Sequence, residues 1–159
     1  RAAITGHLVI ATMHTNDAAS AFMRLIDMGV EPYMVASSIA CVVAQRLVKK
    51  ICKYCKEEYS PDPEELEEWE GEKPEKLHHG RGCPMCNNTG YLGRMAVYEI
   101  IEIDNKVKRF VVQKAESNVI KEYLKEEKGF LDLGLHMQEL VNQGVTTTQE
   151  MKKIKTSLD

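Results

Sequence analysis

Four of the five cysteines fall into two C-x-x-C pairs, Cys52-Lys53-Tyr54-Cys55 and Cys83-Pro84-Met85-Cys86, and the fifth, Cys41, stands alone. A C-x-x-C turn sets two sulfurs along one edge of a tetrahedron, with backbone amides facing the thiolate charge. Two such turns complete a four-thiolate shell, so Cys52, Cys55, Cys83 and Cys86 read as ligands of one structural zinc ion. A closed tetrathiolate leaves no position open for water or substrate, which argues against catalysis at the metal. A thioredoxin-like redox pair requires C-x-x-C between a strand and a helix of a βαβ unit, and two symmetrical pairs argue against that. Gly82, Gly90 and Gly93 fit tight turns around a knuckle. His78 and His79 are alternative donors, but four thiolates saturate the ion, and a Gly-Arg-Gly neighbourhood suggests solvated rings.

The chain around these cysteines has 159 residues, 43% hydrophobic and 28% charged, a soluble globular composition that excludes disorder as the main state. The longest apolar stretches, residues 8–12 and 35–44, are too short and too interrupted to span a bilayer. A formal charge of -3 argues against nucleic acid as the main partner, because phosphate neutralisation needs clustered Lys and Arg in excess. The cysteine spacing suits a reduced compartment, hence the cytoplasm. Arg1-Ala2-Ala3-Ile4-Thr5-Gly6-His7 shows neither an initiator Met nor a signal pattern, and the chain reads as the middle of something longer.

The elements that must hold the cysteines follow from periodicity. Residues 7–13 form an apolar run expected of a strand buried on both faces. Asn16 or Asp17 caps a helix to about Met28, stopped by Gly29. Pro32 suits a first helical turn, and a small-residue helix is expected over 33–45, with Cys41 packed in it as a small apolar residue. Residues 45–51 read as a strand leading into the first pair. Ser60-Pro61-Asp62-Pro63-Glu64-Glu65 suggests a short acidic helix to about Glu70, followed by a polar loop over 71–82. A strand is expected over 95–101. Helical periods then place Val107, Phe110 and Val111, next Ile120, Tyr123 and Leu124, next Met137, Leu140 and Val141 inward, with Gly144 as a stop. Thr147-Thr148-Gln149-Glu150 has capping-box spacing before Met151, Ile154 and Leu158. The expected fold class is α+β and helix-rich.

The segment Thr5-Gly6-His7-Leu8-Val9-Ile10-Ala11-Thr12-Met13-His14-Thr15-Asn16-Asp17 closely resembles the histidine-box region of the secretion-superfamily ATPases of type II secretion and type IV pilus assembly. The resemblance continues through Arg24-Leu25-Ile26-Asp27-Met28-Gly29, Ala44-Gln45-Arg46-Leu47-Val48, both cysteine pairs, Gly90-Tyr91-Leu92-Gly93-Arg94 with Tyr98-Glu99, and Gly144-Val145-Thr146-Thr147. It covers nearly the whole chain, and the tetracysteine insertion, generally missing from pilus retraction ATPases, favours the secretion or pilus-assembly branch.

The resemblance implies a carboxyl-terminal remnant of a RecA-like α/β ATPase domain over residues 1–51, a zinc-binding insertion over 52–94 and a strand plus helical subdomain over 95–159. It further implies a parent that is a cytoplasmic homo-hexamer, uses ATP and Mg²⁺, and contacts inner-membrane platform proteins. His7 and His14 would then lie near the nucleotide's phosphates, where an imidazole can donate a hydrogen bond. Arg46 is a weaker candidate cation, equally readable as an exposed strand residue. Phosphoryl transfer needs a G-x-x-x-x-G-K-[ST] cradle, and this sequence has none: after Gly129 and Gly134 come Leu135 and His136. The chain alone is therefore expected to be inactive. The competing reading is a freestanding zinc ribbon that binds nucleic acid or protein, for which Lys49, Lys50, Lys53, Tyr54 and Lys56 supply a small basic surface.

Overall fold

Residues 2–156, which the computed structural model describes, alternate helices with short sheets. In order they form α1 (Ser20–Asp27), α2 (Pro32–Ser38), β1 (Cys41–Ile51), β2 (Lys56–Tyr59), β3 (Leu77–Gly80), a 3-10 turn (Pro84–Cys86), β4 (Tyr91–Glu102), α3 (Asn105–Val112), α4 (Ser117–Lys128), α5 (Leu133–Asn142) and α6 (Thr148–Thr156). The class is α+β. Two sheets of two strands pair β1 with β4 and β2 with β3. Ile103 N–H donates to Ala40 O at 3.1 Å and Cys52 N–H to Gly90 O at 2.9 Å, so β1 and β4 run antiparallel. β2 and β3 are antiparallel as well, with Lys56 opposite Gly80 and Tyr59 opposite Leu77. No helix among the described residues is long and apolar enough to cross a membrane.

The chain folds as two compact units, one from residues 1–44 and 99–131, the other from 45–98 and 132–159. The first has a core of Phe22, Val35, Ile101, Val107, Val111, Ile120 and Leu124. Its buried acids all have partners, as burial demands. Glu99 accepts the Ala18 N–H at 2.6 Å, and Asp17 accepts the Ser20 N–H at 2.7 Å and pairs with Lys121. Asp104 caps α3 by accepting the N–H groups of Lys106 and Val107 at 2.9 and 2.8 Å. The second unit buries Val48, Leu77, Val97, Leu133, Met137, Val141 and Met151. It is tied by Ile51 N–H to Val145 O at 2.8 Å and Thr146 Oγ1 to Lys49 O at 2.7 Å.

Helices α3 to α6 bury the expected Val107, Val111, Ile120, Leu124, Met137, Leu140, Val141, Met151 and Ile154, while Phe110 and Tyr123, expected beside them, are only half-buried, and Gly144 ends α5's turn at φ +67°. Leu158 lies outside the described residues. Thr147 receives the Glu150 N–H, but Glu150 turns its carboxylate to Lys49 N–H and Lys153, so the expected capping box is only half formed.

Elsewhere the structure corrects the sequence expectations. Residues 7–13 form no strand and lie exposed, Leu8 at 91% and Ile10 at 88%. An apolar strand of this kind is stable only between neighbours, and among the described residues no strand pairs with it. The small-residue helix ends at Ser38, and residues 41–44 join β1, because Val42 and Val43 favour a pleated partner and β4 supplies one. Cys41 is consequently exposed on a strand. Residues 63–68 make turns, with Leu66 N–H bonded to Pro63 O at 3.2 Å, rather than an acidic helix. Their neighbourhood spends its backbone groups on tertiary bonds: Lys155 Nζ holds Glu68 O at 2.6 Å, and the Gln138 amide brackets Glu70 at 2.6 and 2.9 Å. The loop expected over 71–82 contains β3.

Asp104 gives the first unit a pH dependence. Burial opposes its ionisation, but Tyr123 Oη at 2.6 Å, the two amides and Lys128 outweigh burial and hold the carboxyl at about 2. A depressed folded-state pKa stabilises the fold above the unfolded value, here 3.8, and the contribution disappears as pH falls toward 2. Asp104→Asn, which keeps an oxygen for the cap, should cost about 1 kcal/mol at pH 7. Chemical denaturation at pH 7, 4 and 2.5 should show the gap from wild type narrowing with acidification.

Candidate metal centre

β1 delivers the first cysteine pair. At its end the Cys52 N–H is pinned to Gly90 O, and Cys55 N–H closes the C-x-x-C turn on Cys52 O at 3.2 Å. β2 then leaves and β3 returns, and Arg81 N–H on the returning strand's far side holds Cys55 O at 3.0 Å. The second pair is a local turn: Cys86 N–H and Asn88 N–H both bond Cys83 O, at 3.1 and 2.9 Å. Asn87 and Asn88 accept left-handed conformations there, at φ 50° and 58°, which asparagine tolerates better than most residues.

All four sulfurs lie within 4.8 Å of one another. Cys52 and Cys83 are 3.9 Å apart, Cys55 and Cys86 3.8 Å, and Cys83 and Cys86 3.7 Å. A tetrahedron of sulfurs about 2.3 Å from a central zinc has edges of about 3.8 Å, so the donor set fits that ion. Three amides face the sulfurs at 3.3 Å, Gly82 N–H to Cys55 and the N–H groups of Cys83 and Gly90 to Cys86. Cys52, Cys55 and Cys86 are buried and Cys83 is half-buried. Burial pushes the Cys55 thiol up to about 12. Burial works the same way on Cys86, but the Cys83 and Gly90 amides outweigh it and bring that thiol down to about 6. A bound dication would resolve the conflict, because a coordinating thiol is deprotonated outright.

Close backbone approach locks the second pair against β3. A Cβ built on Gly80 would sit 2.0 Å from Gly90 O, and one on Gly90 would sit 2.4 Å from Gly80 O. The sequence reading missed Gly80, whose signal was its place beside Arg81-Gly82 just before the second pair. The two histidines are not simply solvated. His79 stacks on Tyr59 with ring centroids 4.9 Å apart, and His78 is half-buried with its Nδ1 enclosed and unpartnered.

The other candidate residues are not part of this cluster. His7 is exposed with Nδ1 3.1 Å from Thr5 Oγ1, and His14 is exposed on the unpaired segment. Arg46 is half-buried on β1, and its Nη1 donates to Gln45 O at 3.1 Å.

A family model described as type II/IV secretion system protein matches residues 1–153. The type IV pilus assembly ATPase PilB of Thermus thermophilus is 42% identical over 154 residues, covering 94% of this chain and 17% of that protein. The type II secretion system ATPase E of Vibrio cholerae is 36% identical over 157 residues, covering 97% of this chain and 31% of that protein. The type II secretion system protein E of Pectobacterium carotovorum is 43% identical over 108 residues, covering 68% of this chain and 22% of that protein. The chain thus spans less than a third of the length of these relatives.

Two outcomes follow for the centre. Stripping metal with a chelator, or Cys83→Ser, should expose amides within residues 52–94 to hydrogen exchange before those of α3 and α4, and should lower the melting temperature. Gly80→Ala should destabilise the fold by about 3 kcal/mol or more, since backbone must move, whereas Gly71→Ala, at φ +80° in open space, should cost about 1 kcal/mol. Parallel urea titrations of the two variants check the difference.

Proposed function

This chain belongs to the type II/IV secretion system protein family, and we propose that it is the zinc-stabilised part of an ATP-hydrolysing motor that powers type II protein secretion or type IV pilus assembly. The observation that carries this reading is the convergence of four sulfurs at zinc-ligand spacing in a chain whose relatives are named secretion and pilus assembly ATPases. Cys52, Cys55, Cys83 and Cys86 hold the ion, and its closed shell makes it a scaffold. In this reading residues 1–51 complete a RecA-like sheet, 52–94 form the zinc insertion and 95–159 the helical subdomain. The exposed apolar run over 7–13 supports it, since such a segment suits a strand that pairs with a larger sheet.

Within that assembly His7 and His14 face the phosphates of ATP bound with Mg²⁺, and Arg46 is a secondary cation. The motor works as a cytoplasmic homo-hexamer at the inner membrane, against platform proteins. These 159 residues hold no phosphate-cradling G-x-x-x-x-G-K-[ST], so this stretch alone does not turn over ATP.

A phosphate-release assay on the purified chain should therefore read at buffer level, and turnover that survives repurification would contradict the proposal. In a chain of the relatives' length, His14→Ala should lower kcat by about tenfold or more with little change in melting temperature. Cys83→Ser should do the reverse, lowering the melting temperature first. Equal activity of the His14 variant and wild type would remove the histidine from the site.

A further inference from the structure

Three carboxylates are buried among the described residues, on Asp17, Glu99 and Glu150. Acidic side chains are seldom buried unless paired, because leaving water is costly for a charge. Glu150 ties α6 to β1 through the Lys49 N–H. The other two act together at one place, the head of α1. Glu99 is 2% exposed, on the face of β4 that also carries Val97 and Ile101, and it accepts the Ala18 N–H at 2.6 Å. Asp17, buried as well, accepts the Ser20 N–H at 2.7 Å and pairs with Lys121 of α4. Ala18 and Ala19 beside them are fully buried.

The residues locked in this way directly follow His14-Thr15-Asn16. His14 itself is exposed, and among the described residues no strand pairs with the run over 7–13 before it. The segment is therefore held at its carboxyl end, by Asp17 and Ala18. A fully extended chain advances at most about 3.6 Å per residue, so His14 stays within about 11 Å of Asp17 whatever the run before it does. An apolar side chain at position 99 would fill the core without the desolvation of a charge. What the carboxylate adds is direction, since it fixes where the Ala18 N–H points. Two acids at the positive end of α1 are also where the helix dipole favours them.

We propose, on the reading that His14 faces the phosphates of ATP, that Glu99, Asp17 and Lys121 are positioning residues for that histidine. Glu99 holds the Ala18 N–H, Lys121 holds the Asp17 carboxylate, and the lock sets where the imidazole three residues upstream stands when the nucleotide is bound. All three act on the reaction only through the chain between Asp17 and His14.

The test uses a motor of the relatives' length that carries these 159 residues, with kcat and KM for ATP measured well below the melting temperature of every variant. Glu99→Leu should lower kcat about tenfold and move KM by about twofold or less. Glu99→Gln, whose amide oxygen can still accept the Ala18 N–H, should recover most of that loss. In a His14→Ala background Glu99→Leu should cost less than about twofold, because a lock that acts through the histidine then has nothing to position. Lys121→Met, at a side chain 23% exposed, frees Asp17 and should show the same masking, which keeps the test intact where Glu99→Leu does not fold. The same loss of kcat in both backgrounds, or wild-type kcat in Glu99→Leu and Lys121→Met, overturns the positioning role while His14 keeps its place. Wild-type kcat in His14→Ala removes the histidine from the site, and the positioning role with it.

Discussion

Four thiols that share a space 4.8 Å across cannot all carry charge, and they gain little by packing as neutral groups. Everything between residues 52 and 94 is arranged around that tension. Three amides at 3.3 Å offer the sulfurs partial positive charge, two of them on Cys86. A dication at the centre would complete the neutralisation and turn a repulsive cluster into a cross-link between two distant pieces of chain. The core nearby is small: Leu66, Trp69 and Leu77 are the apolar side chains buried between the two cysteine pairs. An insertion of that size needs such a cross-link to hold its shape.

Such a cross-link would have consequences outside the knuckles. Because Cys52 directly follows β1 and Gly90 directly precedes β4, fixing the sulfurs would also fix the register of the longest strand pair. The backbone contact of Gly80 with Gly90 sets the β2–β3 hairpin against the second knuckle, with no room for a side chain. From β1 the order passes to the helices through Ile51 to Val145, Lys49 to Thr146 and Lys49 to Glu150. These bonds join segments about 100 residues apart, so the second unit is a non-local structure throughout. The first unit relies instead on buried acids with assigned partners, Glu99 on Ala18 and Asp17 on Ser20 and Lys121.

The amino acid sequence by itself determined the features whose information is local. Cysteine spacing named the four sulfurs that converge, because a C-x-x-C turn builds half a tetrahedron from four adjacent residues. Period 3.6 named the buried faces of α3 to α6, and Asp17, Gly29, Pro32 and Gly144 marked ends and turns near their places, since caps and stops act over one turn of chain. The order of motifs pointed to the family that the comparisons then showed.

Tertiary structure decided whatever depended on a partner remote in sequence. Residues 41–44 became strand because β4 pairs with them, against a small-residue composition that reads as helix. The acidic segment over 60–70 gave up helical bonds for ones to Gln138 and Lys155, and Leu77–Gly80 became a strand because Lys56–Tyr59 lay alongside. The apolar run at 7–13 carries the pattern of a buried strand and yet lies exposed, because the pattern states a preference and only a neighbouring strand can satisfy it. A strand's hydrogen bonds and a cation's counter-charge come from elsewhere in the chain, and a linear reading does not contain those distances.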